Sequence, residues 1–313
     1  MCFRNRNNNG EKSPILEYQV YWDKWHKQWF DNCSSNPPLL NSINEWITPT
    51  DKGSNDNSIW QYFPEPYWGN PNSDKLFGIF LNINPGGGGA SQDILLRDQD
   101  DSNPFNSYKK NKHSYSETIK ELSNITDYKT TEWMQKWRVN WMREVLENQS
   151  INVSNIFCAE LIPWHTKKKS DISDYAVKND IPDLINNTVI IPLSKISNSD
   201  SVVKEMKGKV IVRSSLILDI LNSIYSIKPD SIKISDIENY AIVDDIDTKS
   251  SKQKLLSKFN SYLTIFKIEE TSFYVFSGGS NSALPNPDFK VLSIGQNKSN
   301  RKTDISLKNF MKC

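Results

Sequence analysis

Apolar positions along this chain gather in short continuous runs separated by polar stretches, the pattern of strands buried on both faces. The run Leu76–Phe80 anchors an expected strand over Phe77–Ile83, and Asn155–Ile162 and Val210–Val212 read the same way. Tyr240–Val243 and Leu263–Ile268 are weaker strands, and Phe273–Phe276 is the last one expected. Between these runs the period changes. Tyr18, Trp22, Trp25 and Trp29 recur at helical spacing and predict a helix near residues 16–30. Trp133, Trp137 and Trp141 form a stripe on a second helix near 130–147, and Ser214–Tyr225 is helical in pattern. A short helix is expected to end at Trp46, beyond the Pro/Asn/Ser-rich Ser34–Pro37. Strands alternating with helices predict an α/β fold with a mostly parallel sheet covered on both faces.

The segments between are informative in their own right. Tyr62–Asn72 is a proline-punctuated loop, residues 91–113 are polar and turn-rich, and the chain after Gly295 is a polar, basic tail. The first dozen residues are polar and expected to be disordered. Residues 1–59 read as an N-terminal helical extension and 60–313 as one α/β domain. No internal repeat is present.

Net charge narrows the partners. At +1 it supplies no global field toward nucleic acid or membrane, so any nucleic-acid contact has to rest on a local patch. Cys2, Cys33, Cys158 and Cys313 are scattered without a C-x-x-C pair, which argues against a zinc ribbon or an iron–sulfur cluster. Free thiols, no apolar leader at the N-terminus and no apolar run near ~20 residues lead to the expectation of a cytoplasmic protein without a membrane span.

The candidate chemistry sits where the first apolar run stops. Leu81-Asn82-Ile83-Asn84-Pro85 opens into the four glycines Gly86–Gly89, putting an amide side chain and bare backbone at a strand's carboxyl end. Ligand sites of open α/β sheets lie at such ends. The loop lacks the third glycine of the dinucleotide fingerprint, and no Gly-Lys-Ser/Thr follows, so neither a Rossmann site nor a P-loop is expected. Ser280 is not in a G-x-S-x-G elbow, and His26, His113 and His165 are the only histidines, which disfavours a serine hydrolase.

Asn82-Ile83-Asn84-Pro85-Gly86 resembles the first motif of the uracil-DNA glycosylase superfamily, closest to the Gly-Ile-Asn-Pro-Gly version of the mismatch-specific uracil/thymine branch. Pro64-Glu65-Pro66-Tyr67-Trp68-Gly69 resembles the Pro/Tyr loop preceding that strand, and Ala159–His165 resembles the middle strand with its aromatic end. Ser277–Pro285 stands where the family carries its second catalytic motif. The resemblance covers roughly residues 60–290. It implies a three-layer α/β/α sandwich around a central, mostly parallel four-stranded sheet, and cleavage of the N-glycosidic bond of a nucleotide flipped out of DNA.

Carried over residue by residue, the resemblance makes Asn84 the group that holds the attacking water; an amide can orient water but cannot act as a base at neutral pH. Pro85, Gly86 and Gly87 shape the base recess. Uracil-restricted relatives carry Tyr where Gly86 stands, so the space here implies a base enlarged at C5, such as a bulky modified cytosine of phage DNA. By analogy an antiviral role follows. Tyr67 is a pocket wall, Trp164 stacks on the base, and His165 orients the base or meets a phosphate. Lys167 and Lys168 hold the DNA backbone, Ser280 binds a phosphate, Asn281 donates to the base, and Leu284 is a wedge for the vacated stack. Many relatives carry a His in the last motif; none lies between Ser277 and Pro285. The expected protein is a monomeric, metal-free, cofactor-free DNA glycosylase that leaves an abasic site. Two other readings stay open: a module that binds a modified base or DNA without cutting, and a small-molecule nucleotide hydrolase or transferase using the glycines for phosphate.

Overall fold

The structure, a computed structural model, describes residues 13–33, 65–69, 74–83, 108, 110–112, 114–124, 129–163, 181–227, 234–243, 261–277, 284–294 and 305–313. In chain order these form α1 (Pro14–Cys33), β1 (Tyr67–Gly69), β2 (Gly78–Asn82) and α2 (Tyr115–Leu122). A long helical stretch follows: α3 (Lys129–Met134), a π-helical segment Gln135–Val139, and α4 (Asn140–Leu146). Then come β3 (Ile156–Glu160), α5 (Ile181–Ile185), a second π segment Asn186–Ile190, α6 (Ile191–Ser197) and β4 (Lys209–Val212). The remainder is α7 (Ser215–Ile227), β5 (Ile234–Val243), β6 (Ser261–Ile268), β7 (Thr271–Ser277), β8 (Lys290–Ser293), β9 (Ile305–Ser306) and α8 (Leu307–Lys312).

The strands make one sheet of nine, in the order β1-β3-β2-β4-β7-β6-β5-β8-β9. This corrects the expectation of a central four-stranded sheet. Strands β3, β2, β4 and β7 do run parallel to one another, but β1 adds antiparallel to β3 on one side. On the other side β6, β5, β8 and β9 extend the sheet antiparallel. The added strands explain the miss. β1 lies inside the segment read as a proline-punctuated loop, and the supposed basic tail returns as β9 and α8. Phe273–Phe276 is therefore not the last strand.

The parallel strands are buried on both faces, which is why they read as unbroken apolar runs. On one face, Phe80 and Trp141 of α4 meet edge to face with centroids 6.5 Å apart, and Trp141 also meets Phe276 of β7 at 5.9 Å. Gly78 opens β2 because α4 comes so close there: a Cβ would lie 2.9 Å from the Phe80 ring and 3.1 Å from Met142 Cγ. On the other face, α1 lays Tyr18 across Phe157 of β3 at 5.6 Å and packs beside α6. Tyr18, Trp22 and Trp25 of its aromatic stripe are core, all three buried; the Trp29 side chain lies outside the described residues. Gly69 ends β1 at φ +93°, with the carbonyl of Ile156 where a Cβ would go, so only glycine fits.

Candidate functional site at the carboxyl edge of the parallel strands

Strands β2 and β3 end in register on polar residues, Asn82 beside Glu160. Because side chains alternate across a strand, Asn82 shares a face with Phe80, and Glu160 with Cys158. That face is the one α3 and α4 cover. Asn82 donates from Nδ2 to Glu160 Oε1 at 2.9 Å and accepts at Oδ1 from Arg138 Nη2 at 3.0 Å. The two bonds fix the amide's orientation, its oxygen toward the cation and its nitrogen toward the carboxyl.

Arg138 reaches this position from the π segment. Trp133, Trp137 and Trp141 would share one stripe on a regular α-helix, but the extra residue per turn rotates the middle of the stripe away. Only Trp141 of the three is buried, while Arg138 is turned inward and 2% exposed. Its guanidinium lies 4.6 Å from the Trp133 ring centroid and 5.2 Å from that of Phe80. Aromatic faces thus replace part of the water this cation gives up. Burial still lowers its pKa, opposed by Cys158 and Glu160 nearby.

Glu160 is held mainly by its surroundings. Burial pushes its carboxyl up to about 8, opposed by the Asn82 hydrogen bond and reinforced by Glu65. Glu65, which leads into β1, is itself pushed up to about 8 by burial. Backbone bonds hold the two segments together: Glu160 N–H donates to Pro66 O at 2.9 Å and Glu65 N–H to Pro163 O at 3.1 Å. Glu160 Oε2 is buried and has no hydrogen-bond partner among the described residues. A neutral carboxyl at that place presents a proton rather than a charge. Cys158, two residues earlier, is pushed up to about 12 by burial and is no nucleophile.

The edge continues across the sheet. The chain leaves β2 toward β3 on one side and later returns to β4 on the other, so the connections after β2 and β4 depart in opposite directions. This is a topological switch point, the place where open α/β sheets bind ligands. Arg213 follows β4 there, half-buried, and donates from Nη1 to the carbonyl of Phe276 in β7 at 3.1 Å. The return from the last loop is pinned as well, since Trp141 Nε1 donates to Pro285 O at 2.7 Å.

Of the residues singled out from the sequence, Asn84, Pro85, Gly86, Gly87, Trp164, His165, Lys167, Lys168, Ser280 and Asn281 lie outside the described residues. Tyr67, expected as a pocket wall, stands in β1 with its ring 1% exposed. It packs against Tyr18 at 5.4 Å, Tyr115 at 5.0 Å and Phe157 at 5.6 Å, and its carbonyl accepts the Tyr115 hydroxyl. Leu284 is half-buried against the core, next to the pinned Pro285. Sequence reasoning missed Asn82, Glu160 and Arg138 as a unit. Its available signals were a polar residue inside each of two apolar runs and a lone arginine inside a tryptophan stripe.

Among the described residues no group of three or more His, Cys, Asp or Glu is placed to hold a metal, and no helix is long and apolar enough to cross a membrane. Comparisons with protein-family models, with curated proteins and with solved structures return no significant match to this chain.

Proposed function

We propose that this chain is a DNA N-glycosylase that hydrolyses the bond between deoxyribose and an enlarged, 5-substituted pyrimidine, leaving an abasic site. The observation that carries the reading is the position of β2. It is an inner parallel strand, flanked by β3 and β4, whose carboxyl end lies at the switch point. The Asn-Pro-Gly motif begins two residues beyond its last residue, Asn82. A motif that resembles a base-excision loop thus follows directly on the strand end that best suits a ligand site.

The chemistry asks for two things: a water under C1′ as positive charge builds on the sugar, and hydrogen-bond donors for the departing base. Asn84 orients the water through its amide oxygen. Gly86 and Gly87 leave room for the 5-substituent. The Asn82–Glu160–Arg138 network stiffens the base of the loop, since Asn82 is fixed from both ends. Trp164 and His165 follow β3 by four and five residues in the chain and belong to the same edge in this reading. The partner is DNA, and the protein works as a cytoplasmic monomer.

The test is incubation with unmodified DNA and with genomic DNAs carrying natural 5-substituted pyrimidines. Released bases are identified by mass spectrometry, and abasic sites by strand cleavage in alkali. Release of a modified base with matching abasic sites supports the reading. Tight binding to modified DNA with no release would favour a recognition module instead.

A further inference from the structure

A second cleft lies apart from the carboxyl rim. It opens between the end of α2, the α3–α4 helical stretch and the turn that leads into β3, with a volume of about 420 Å³. That lies within the range of small-molecule sites. Asn82, Glu160, Arg138 and Arg213 take no part in its lining. We propose that this cleft binds a neutral, polyhydroxylated molecule of monosaccharide size, independently of the glycosylase reading.

Asn124, Gln135, Asn140 and Asn152 bring four side-chain amides to the lining, and their bonds within the protein fix which atom each one has to offer. Asn152 Oδ1 accepts from the Ser154 N–H at 2.9 Å and from the Ser154 hydroxyl, which leaves its Nδ2 as a donor. Asn140 Oδ1 accepts from Gln135 Nε2 at 3.1 Å and from Arg143 Nη1 at 3.3 Å. Asn140 Nδ2 is then left as a second donor and Gln135 Oε1 as an acceptor. Asn124 Nδ2 donates to Lys120 O at 2.9 Å, which leaves Asn124 Oδ1 as a second acceptor. A further polar group has no bond of its own. Ser123 lines the cleft and is 8% exposed, and its Oγ is buried without a hydrogen-bond partner among the described residues. Such a group in a native structure calls for an explanation, and a ligand in the cleft supplies one.

This set of groups selects the ligand. Amide nitrogens and amide oxygens side by side suit hydroxyls, each of which donates and accepts; an ion of one sign would satisfy only half of them. The charges in the lining cancel, with Glu132 and Lys136 one of each sign, and Lys136 Nζ is held 4.8 Å from the Trp137 ring centroid. A planar base would need an aromatic ring to stack on, and none lines the cleft among the described residues. Val153 supplies apolar contact for the C–H face of a sugar.

The experiment titrates the isotope-labelled full-length protein with glucose, galactose and ribose, and with glutamine as a zwitterion of similar size, reading side-chain amide resonances by NMR. At least one sugar should shift the signals of Asn124, Asn140 and Asn152 and saturate with a dissociation constant of about 1–10 mM. Ser123→Ala should weaken that binding about 3–10-fold, the loss of one hydrogen bond, without lowering the melting temperature. Asn124→Ala, at an exposed side chain, should weaken it to a similar extent. Should Ser123→Ala lower the melting temperature, Asn124→Ala decides alone. Sugars that move none of these signals at about 100 mM overturn the site, as does binding to which both variants are indifferent. Shifts with glutamine and with no sugar overturn the class of ligand.

Discussion

At the scale of single residues, the protein maintains two buried carboxyls and a buried guanidinium at one rim of its sheet. Glu65 and Glu160 are both raised to about 8 by burial, well above their value in an unfolded chain near 4.5. The folded state therefore holds protons that the unfolded state has lost between those limits. The pair's contribution is most favourable below about pH 4.5, declines as pH rises through the interval, and is flat above about 8. Glu65→Gln should flatten that decline and raise stability at pH 8 by roughly 1–3 kcal/mol, the scale for an uncompensated buried polar group. Urea denaturation at pH 5 and pH 8 checks it, and an unchanged slope with pH would remove Glu65 from the pair. Arg138→Met keeps much of the packing against Trp133 and Phe80 but leaves Asn82 Oδ1 unbonded. It should cost about 1–3 kcal/mol in the same assay.

Among the elements, the π segment accounts for most of the difference between what the helix between β2 and β3 promises and what it does. A tryptophan stripe at helical spacing predicts three buried rings; the structure buries Trp141 and brings Arg138 inward instead. Nothing in the local sequence marks the extra residue in the turn, because what holds Arg138 inward is tertiary, its contacts with Asn82 and Phe80. Trp141 then acts as a joint between elements, packing on β2 and β7 while its indole N–H holds Pro285. Trp141→Phe should lower stability by about 1 kcal/mol through that lost hydrogen bond. It should also raise amide exchange around residues 284–286, read by hydrogen–deuterium exchange. Gly78→Val fills space already occupied by Phe80 and Met142 and should cost about 1–3 kcal/mol by overpacking. A melting temperature equal to the wild type's would show that α4 can yield.

For the whole molecule, the inner strands were legible and the outer ones were not, for a physical reason. β2, β3 and β4 are covered on both faces, so burial wrote itself into their sequences as continuous apolar runs. β1, β8 and β9 have three, four and two residues, too few for any period to register, and they exist because a neighbour's open edge offers hydrogen bonds. β5 is exposed along most of its first half, which hid its length from hydrophobicity. The site was legible to a similar extent. Asn82 and Glu160 were read as positions inside the strands Phe77–Ile83 and Asn155–Ile162, and that they are neighbours depends on strand order, which no local pattern carries. The glycine loop was visible as a motif because its chemistry is local.

The account turns on Asn84 as the residue that holds the attacking water. Its most direct test compares the wild type with Asn84→Ala on DNA from which the wild type releases a base, measuring base release by mass spectrometry in single turnover. The account predicts a drop of about 10²–10³-fold in an equally stable, equally DNA-binding variant, the usual scale for losing one positioned polar group at a reacting centre. Base release by Asn84→Ala at the wild-type rate would contradict it.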